Sequence, residues 1–434
     1  MKICIAYGKK GLEIDLPDSL DVTVAKPEPE VPLDDPLTSI AEAIDAPIES
    51  EPFDAIIKAR QKYLGKNNLT VCIVVSDHTR PVPSSLILPP LLERLEQASI
   101  LPENITILVA TGLHRASTRD EIEVMIGEEI ARKYMVLVHD SKDNDLLIFL
   151  GESTLGTPIW INKTFMDADI KILTGYVDPH FFAGYAGGRK AIVPGIAGEE
   201  TITENHSAKN MNSPNARFAV LDGNPIHEDA LEIAKKVGVD FIVNVCLDDQ
   251  HRIVKVAAGD LEAAHQALVD HVKQTAVVQM LEYFDIVIVN NGGYPLDLNL
   301  YQAVKSMVLG ESAVKEGGTI IAVNEARDGF GSDEFKYVIE TESDPDEFIR
   351  KLLAREMIID GQWQVQTLAR AAKRAEILVV GSMPKADFKN VKLGIKWVES
   401  VEKAVDQALK KYGSGARILV LPAGPQLVPR IIPR

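Results

Sequence analysis

The sequence predicts an α/β protein made of two layered α/β domains with largely parallel sheets and an active-site cleft between them. One observation is a repeated order in which a short run rich in Val, Ile and Leu precedes a polar or Gly-rich loop and then a helical stretch. Continuous apolar runs of this kind are typical of strands that helices cover on both faces. The other observation is the length of 434 residues, which at roughly 150 residues per domain suits two or three domains.

These patterns predict the individual elements in chain order. Residues 1–16 indicate a β-hairpin, residues 26–36 an irregular Pro- and acid-rich connection, and residues 36–45 and 53–63 two helices. Apolar runs then predict eight buried strands, at residues 70–76, 104–110, 169–175, 241–247, 285–291, 318–324, 375–382 and 416–424.

A domain boundary is predicted near residues 275–284, where the helix predicted over 260–275 ends and a new strand–loop–helix series begins. We therefore assign residues 1–274 to an N-terminal α/β domain that carries the Gly-rich loop. Residues 283–412 form a C-terminal α/β domain. Residues 413–434 are a C-terminal segment that we expect to return to the first domain.

Composition and charge exclude several classes of function. The formal net charge of −17 disfavours nucleic acid and acidic membranes as partners, and no apolar run approaches the roughly 20 residues that cross a bilayer. The first residues do not resemble a signal peptide, and the three cysteines lie in apolar runs without a disulfide framework. We therefore expect a cytoplasmic protein with no nucleic-acid or membrane partner, in which an anionic ligand would need its own cluster of Arg and Lys.

Four polar loops follow four of the predicted strands. They hold three histidines, several Arg and Lys and many Gly, and they are residues 77–83 (DHTRPVP), 111–118 (TGLHRAST), 176–190 (YVDPHFFAGYAGGRK) and 292–305 (GGYPLDLNLYQAVK). Ligands of parallel sheets collect beyond the carboxyl ends of the strands. We therefore expect these loops to converge on one site.

Common nucleotide and metal motifs do not account for these loops. Lys190 has the spacing of a phosphate-loop lysine, but Arg189 replaces the second Gly and Ala191 replaces the hydroxyl residue that binds Mg²⁺. The sequence has no HExxH or Cys₂His₂ pattern. His180 and His206 flank the Gly-rich loop, and histidines at such positions ligate a metal or act as general bases near neutral pH.

In their order and approximate spacing, these loops resemble the lactate racemase family, whose members use a nickel-pincer nucleotide. The resemblance covers nearly the whole chain and rests on SDHTRPVPS, ATGLHRAST, HFFAGYAGGRKAIVPGI through NHSA, and NGGYPLDLNLYQAVK. The family leads us to expect Phe where this chain has Leu113, and Phe-Ser where it has Tyr185-Ala186. These departures leave the identity of the substrate open.

The resemblance implies a cofactor, the pyridinium-3-thioamide-5-thiocarboxylic acid mononucleotide, whose ring carbon and two sulfurs hold nickel. It implies that Lys190 anchors this group as a thioamide, that His206 is the protein ligand to nickel, and that Asp77 supports the cofactor or orients a histidine. Cofactor-maturation enzymes are then expected partners. The other implied cofactor contacts are Gly187, Gly188 and Trp363, although Trp363 alone is typical of packing.

The resemblance also implies a small 2-hydroxy acid as substrate, with lactate the first candidate. His114 and His180 would be the paired acid/bases, and Arg80 and Lys305 would hold the substrate carboxylate. The residues expected beside that carboxylate are Gln302 and Tyr301. Taken without the resemblance, Asp77 and Arg80 would suit a local turn pair, and the helix start from Tyr301 to Lys305 would suit a solvated end.

The implied chemistry suits these residue types. A carboxylate stabilises a carbanion poorly, so removal of hydride to give a flat 2-keto acid is an easier route to inversion than deprotonation at carbon. A histidine would take the hydroxyl proton as hydride leaves, and a second base serves the other face. Three cofactor donors and one imidazole make a four-coordinate site that Ni(II) accepts. Arg80, Lys305 and Arg189 would offset the acidic surface.

Three alternatives remain open from the sequence. The protein could act on a different 2-hydroxy acid, or bind and store a nickel nucleotide without turnover. An NAD-linked dehydrogenase is disfavoured because no GxGxxG opens a helix. The presence of both His114 and His180 favours catalysis over storage. His78 receives no role, because it neighbours Asp77 in an extended loop where adjacent side chains point apart.

Overall fold

The computed structural model describes residues 1–27 and 29–432 and contains two six-stranded sheets with apolar cores on both faces of each. The predicted α/β class with mostly parallel sheets is confirmed. In the first sheet Ile253–Gly259 runs antiparallel to Phe241–Leu247, and the other neighbours pair in parallel. The spatial order is Ile253–Gly259, Phe241–Leu247, Ile170–Tyr176, Val71–Ser76, Ile105–Ala110 and Met135–Val138.

Helices cover both faces of the first sheet, which explains why its central strands are largely apolar and almost wholly buried. One face packs against the helices Pro36–Asp45, Phe53–Leu64, Ser84–Gln97, Arg119–Ile126 and Glu128–Lys133. The other face packs against the helices Lys163–Asp167, Glu199–Asn205, Pro225–Val237 and Ala263–Thr275 and the antiparallel hairpin Leu147–Glu152 with Pro158–Asn162.

Local sequence sets the ends of the first two helices close to the predicted positions. Asp35 caps the first helix by accepting a hydrogen bond from Thr38 N (3.1 Å), and Pro36 occupies its first position. The second helix ends at Gly65, which adopts a left-handed conformation with φ 66°.

The second sheet is parallel throughout. Its strands lie in the order Ile395–Trp397, Ala375–Val380, Val314–Val323, Phe284–Val289, Arg417–Leu421 and Asp21–Val24. One face packs against the helices Leu300–Glu311, Asp333–Thr341, Pro345–Leu353 and Gln362–Arg374, and the short helix Ala208–Met211 joins the same core. The other face packs against the helix Val401–Tyr412 and the N-terminal hairpin of Lys2–Ile5 with Leu12–Asp15.

The structure corrects the expected domain membership of both chain ends. Arg417–Leu421 pairs with Phe284–Val289 and Asp21–Val24, so the C-terminal segment lies in the second sheet and does not return to the first. Val428–Ile431 then pairs with Val277–Met280 in a separate two-stranded parallel sheet. Chain order carries no information on such distant pairing, because register is set by which apolar faces meet in the folded state.

The eight predicted strands are present, within a few residues of their expected ends. The strands that the sequence did not predict are edge or hairpin strands, such as Met135–Val138 and Ile253–Gly259. Across residues 1–27 and 29–432, no helix is both long enough and apolar enough to cross a membrane.

Candidate active site

A cavity of about 370 Å³ lies at the carboxyl ends of three strands of the first sheet. These strands are Val71–Ser76, Ile105–Ala110 and Ile170–Tyr176, and the starts of the helices Leu300–Glu311 and Gln362–Arg374 complete the wall. The structure therefore brings together loops from both parts of the chain. The expected site residues that line the cavity are Asp77, Arg80, His114, His180, Gly187, Lys190, His206, Tyr301, Gln302, Lys305 and Trp363.

His114 and Asp77 form a hydrogen-bonded pair at the ends of neighbouring strands. His114 Nδ1 lies 2.7 Å from Asp77 Oδ2, and Asp77 Oδ1 accepts from Thr79 N (3.1 Å) and Thr79 Oγ1 (2.6 Å). Burial raises the pKa of Asp77, but His114, Arg80 and Thr79 outweigh it, and the pKa lies below its usual value. An ionised Asp77 assigns the proton of neutral His114 to Nδ1 and leaves a lone pair on Nε2.

His180 has the opposite arrangement of ring nitrogens. Its Nδ1 accepts a hydrogen bond from Ala183 N (3.3 Å), so the neutral ring carries its proton on Nε2. That Nε2 lies 3.4 Å from Lys190 Nζ. Burial, and then the charge of Lys190, lowers the pKa of His180 well below its usual value. The ring also contacts Phe181 and Phe182, with centroids 5.0 and 4.6 Å away.

Lys190 lies in a single 3₁₀ turn, Gly188–Ala191, at the end of the Gly-rich loop. Its Nζ is 5.5 Å from the ring centroid of Phe182. Burial lowers the pKa of Lys190 well below its usual value, and the charge of Arg189 lowers it further. This environment favours the neutral amine, which is the nucleophilic form of lysine.

Gly187 and Gly188 allow the loop to pass close to its neighbours. A Cβ on Gly187 would lie 2.8–2.9 Å from three surrounding groups, including Asn244 Oδ1. Gly188 is not part of the cavity wall: its N–H donates to Asn244 Oδ1 (2.8 Å), and a Cβ there would lie 3.0 Å from His265. The glycines therefore let the chain turn beneath Lys190.

Gly187→Ala is expected to lower the free energy of unfolding by more than the loss from backbone strain alone, which is about 1–3 kcal/mol. Gly413 is a matched control, because its φ and ψ of 79° and 178° nearly equal the 78° and −179° of Gly187. A Cβ on Gly413 meets nothing within 4 Å, whereas one on Gly187 is crowded. Denaturant unfolding of both Ala variants measures the difference, and equal losses of stability would contradict the crowding.

His206 ends the helix Glu199–Asn205 and lies against an aromatic wall. Its ring centroid is 4.9 Å from Phe182 and 5.2 Å from Trp363. Its Nδ1 is buried and has no hydrogen-bond partner among the described residues. Burial, and then the charge of Lys190, lowers the pKa of His206 to about 3. A neutral imidazole with an unpaired nitrogen is the form that binds a metal.

Arg80 and Lys305 bring positive charge to the cavity. Arg80 Nη1 donates to Thr79 O (3.2 Å) and Thr79 Oγ1 (3.0 Å). Lys305 Nζ donates to Gln302 Oε1 (2.7 Å), and burial, with the charge of Arg80, lowers its pKa to about 7. Gln302 and Lys305 lie on the helix Leu300–Glu311, whose N-cap Asn299 accepts a hydrogen bond at Oδ1 from Gln302 N (2.9 Å). A helix start and two cations suit a carboxylate ligand.

Arg189 does not line the cavity, contrary to the sequence expectation that it would join Arg80 and Lys305 there. It is 1% exposed, and its guanidinium donates to Ala183 O (2.8 Å) and Gly187 O (3.2 Å). Arg189 therefore links two carbonyl groups of the Gly-rich loop from a position outside the cavity wall. The sequence could not show this, because a buried arginine that satisfies backbone carbonyls has no distinctive pattern.

Sequence reasoning missed Asp178, which stands beside these cations. Burial raises the pKa of Asp178 to about 6, while Arg80 opposes that rise. Tyr176 Oη donates to Asp178 Oδ2 (3.2 Å). The only sequence signal was its place in the loop YVDPHFF. His78, which had no predicted role, lies outside the cavity wall with its Nδ1 2.9 Å from Ser117 Oγ.

The chain is similar to known proteins over most of its length. The family model of the lactate racemase N-terminal domain matches residues 7–219, and that of the lactate racemase C-terminal domain matches residues 280–428. The chain is 39% identical to the lactate racemase of Lactiplantibacillus plantarum over 389 residues, which is 89% of each chain. It is 36% identical to the lactate racemase of Thermoanaerobacterium thermosaccharolyticum over 435 residues, which is 98% of each chain.

A solved structure extends this similarity to three dimensions. The lactate racemase apoprotein from Thermoanaerobacterium thermosaccharolyticum has a TM-score of 0.90 with this chain at 34% identity. The match covers 99% of this chain and 100% of that one. The chain therefore belongs to the lactate racemase family, a family of isomerases.

Proposed function

We propose that the protein interconverts the two enantiomers of lactate, with His114 and His180 exchanging the hydroxyl proton. The observation that carries this proposal is the pairing of two differently protonated histidines with two cations in one cavity. Relatives at 36–39% identity are named lactate racemases, which supports lactate as the substrate.

The two histidines have complementary proton arrangements before substrate binds. His114 offers a lone pair on Nε2, because its Nδ1–H faces the carboxylate of Asp77. His180 offers a proton on Nε2, because its Nδ1 accepts from Ala183 N. His114 can therefore accept the hydroxyl proton of one enantiomer as it stands. His180 supplies a proton to the opposite enantiomer only after it has taken up a second one, because a neutral imidazole is too weak an acid to lose its only N–H.

The carboxylate of lactate is proposed to bind between Arg80 and Lys305. Gln302 holds Lys305 in place through its 2.7 Å hydrogen bond, and both residues lie in the first turns of one helix. A fixed carboxylate restricts the substrate to rotations that keep its hydroxyl group near the histidines, which lowers the entropic part of the barrier.

The residues present fit the nickel-pincer nucleotide. Lys190 is a buried amine whose neutral form is favoured, as a covalent anchor requires, and His206 has an unpaired buried nitrogen, as a metal ligand requires. Trp363 closes the same wall beside His206. When bound, this cofactor supplies the acceptor and donor of hydride for the carbon that bears the hydroxyl group.

The direct test is a lactate racemisation assay on protein produced with and without the cofactor-maturation enzymes. Matured protein should convert either enantiomer to an equal mixture, and protein made without those enzymes should not. Malate and 2-hydroxybutyrate, assayed alongside, test whether another 2-hydroxy acid is preferred. Matured protein that carries the cofactor mass yet leaves every enantiomer unchanged would favour the binding-protein alternative.

Arg80→Gln and Lys305→Gln are each expected to raise the activation free energy for lactate by roughly 1.5–3 kcal/mol, which lowers kcat/KM about 10- to 150-fold. Each removes one charged partner of the substrate carboxylate. Lys410→Gln, an exposed lysine on the helix Val401–Tyr412, is the matched control. Unchanged steady-state kinetics in both cavity variants would exclude Arg80 and Lys305 as the residues that bind the substrate carboxylate.

Binding of the substrate carboxylate should depend on pH through Lys305, whose pKa is about 7. Its folded-state pKa is lowered by burial, so the cation that binds the carboxylate is present below that pH and is lost as pH rises. The value of kcat/KM should therefore fall above about pH 7. Lys305→Arg keeps its charge at alkaline pH and should remove this fall.

A further inference from the structure

A second cavity, of about 820 Å³, lies away from the candidate active site, and its wall shares no residue with it. It is formed by the segment 217–222, the ends of the helices Leu300–Glu311 and Gln362–Arg374, and the connecting strands Val277–Met280 and Val428–Ile431. Each of these two helices begins at the active site. Along one helix the ten residue steps from Tyr301 to Glu311 span roughly 15 Å at 1.5 Å per residue.

The wall of this second cavity is rich in cationic side chains, although the chain as a whole carries a net charge of −17. Two carboxylates, Asp222 and Glu311, are the acids of the wall. The cations that line it are Arg217, Lys273, Arg370, Arg374 and Arg430. Such an excess of one sign within a concave wall concentrates ions of the opposite sign.

A buried ion-pair cluster forms the base of the cavity. Glu311 is 5% exposed and accepts from Arg370 Nε (3.0 and 3.2 Å) and Arg217 Nη1 (3.1 Å). These two arginines satisfy the carboxylate and join the segment around residue 217 to the second sheet's helices. The Nη2 atom of Arg370 is buried and has no hydrogen-bond partner among the described residues. One donor at the base is therefore unpaired, although it is closed to solvent in this structure.

Of the other three cations, Lys273 pairs with Asp270 (3.3 Å), whereas Arg374 and Arg430 have no carboxylate partner among the described residues. Arg374 uses Nε on Val314 O (2.9 Å) and lies over the ring of Tyr283, with Cζ 4.8 Å from the centroid. Arg430 is exposed and forms no side-chain hydrogen bond or ion pair with residues of the described chain. A guanidinium already stacked on an aromatic ring keeps its outer N–H groups for an anion.

Much of the rest of the wall is apolar and includes Phe218, Val277, Val308 and Val428, while Gln266 and Ser312 add polar groups. A single carboxylate would leave most of the cations unused, whereas phosphate groups accept several guanidinium hydrogen bonds at once. The volume lies within the range of small-molecule sites. We propose that this cavity binds a phosphorylated small molecule, with its phosphates against Arg370, Arg374 and Arg430 and its carbon skeleton against the apolar wall.

The test is isothermal titration calorimetry of the full-length protein with ADP and with inorganic pyrophosphate. Both should bind, and ADP should bind more tightly because pyrophosphate cannot use the apolar wall. Equal affinities would contradict the contact between the carbon skeleton and the apolar wall and would assign the binding to the phosphates alone. The absence of heat and of any rise in Tm with millimolar ADP or pyrophosphate would overturn the proposal.

The double variant Arg374→Gln/Arg430→Gln leaves the cluster of Glu311, Arg217 and Arg370 intact, so it should fold. It should weaken binding of both probes about tenfold or more, the effect of losing charged hydrogen bonds. The double variant Arg132→Gln/Lys410→Gln makes the same charge change at exposed positions outside the cavity and should bind normally. Equal affinity in both double variants would contradict the proposed site.

The active site also holds cations, so Lys305→Gln separates the two cavities. If Lys305→Gln binds both probes normally, the binding belongs to the second cavity. Binding that Lys305→Gln abolishes and Arg374→Gln/Arg430→Gln retains would assign the anion to the active site and overturn the inference. The result does not depend on racemase activity, because binding alone is measured.

Discussion

Replacement of Lys190 by alanine is expected to remove the whole cofactor-sized mass adduct and, with it, lactate racemisation. The chain offers this buried amine at the end of the Gly-rich loop, 3.4 Å from His180 Nε2, in surroundings that favour its neutral form. Alanine has no nucleophile, so no covalent bond to the cofactor can form. Intact-mass spectrometry of matched preparations made with the maturation enzymes measures the adduct directly.

Two further variants distinguish loss of the covalent anchor from loss of nickel. Lys190→Arg should also lack the adduct, because a guanidinium remains protonated and does not form the thioamide. His206→Ala should keep the adduct on Lys190 but lose nickel, because its ring is the expected metal ligand and not the anchor. Lys410→Ala controls for the loss of an exposed lysine. A full adduct on Lys190→Ala would exclude Lys190 as the anchor.

The sequence was most informative where strands are buried on both faces. Val71–Ser76 is apolar up to its last residue because helices cover both sides of its sheet. Met135–Val138 was missed because it is a short edge strand with no buried residue. The pairing of Arg417–Leu421 with Asp21–Val24 lay beyond prediction for a different reason. Nothing in either segment alone specifies a partner nearly 400 residues away.

The site was predictable to the extent that its residues follow strand ends. His114 and His180 could be expected to converge, because the carboxyl ends of parallel strands meet at one edge of the sheet. Asn244, which supports the Gly-rich loop through Gly188 N, was missed although it stands as a polar residue within the apolar run FIVNVCL. A polar residue within an apolar run was the sequence signal that could have indicated a buried supporting group.

His114→Ala and His180→Ala are each expected to lower the rate of lactate racemisation by about 10²–10⁴-fold, the usual contribution of a positioned acid or base. Both variants should keep the mass adduct on Lys190 and the bound nickel, because neither ring is an expected anchor or metal ligand. His271→Ala, whose ring contacts Glu30 outside the cavity, is the matched control. Chiral chromatography of lactate and metal analysis give the two readouts.

The symmetry of the reaction sharpens this test. The two enantiomers have equal free energies, so kcat/KM must be the same in both directions for every variant, even when only one histidine has been removed. The separate kcat and KM values are free to differ between directions, and they should differ in opposite senses for His114→Ala and His180→Ala if each ring serves one enantiomer.

Asp77→Asn extends the test to the proton arrangement itself. An amide can donate to His114 Nδ1, which forces the ring proton to Nε2 and removes the lone pair that would accept the hydroxyl proton. The loss of kcat should approach that of His114→Ala, up to about 10⁴-fold by the behaviour of other Asp–His pairs. The double variant Asp77→Asn/His114→Ala should have a kcat little lower than that of either single variant, because the two side chains act as one unit. Parent rates in both single histidine variants would refute the two-base mechanism and favour a cofactor-binding protein.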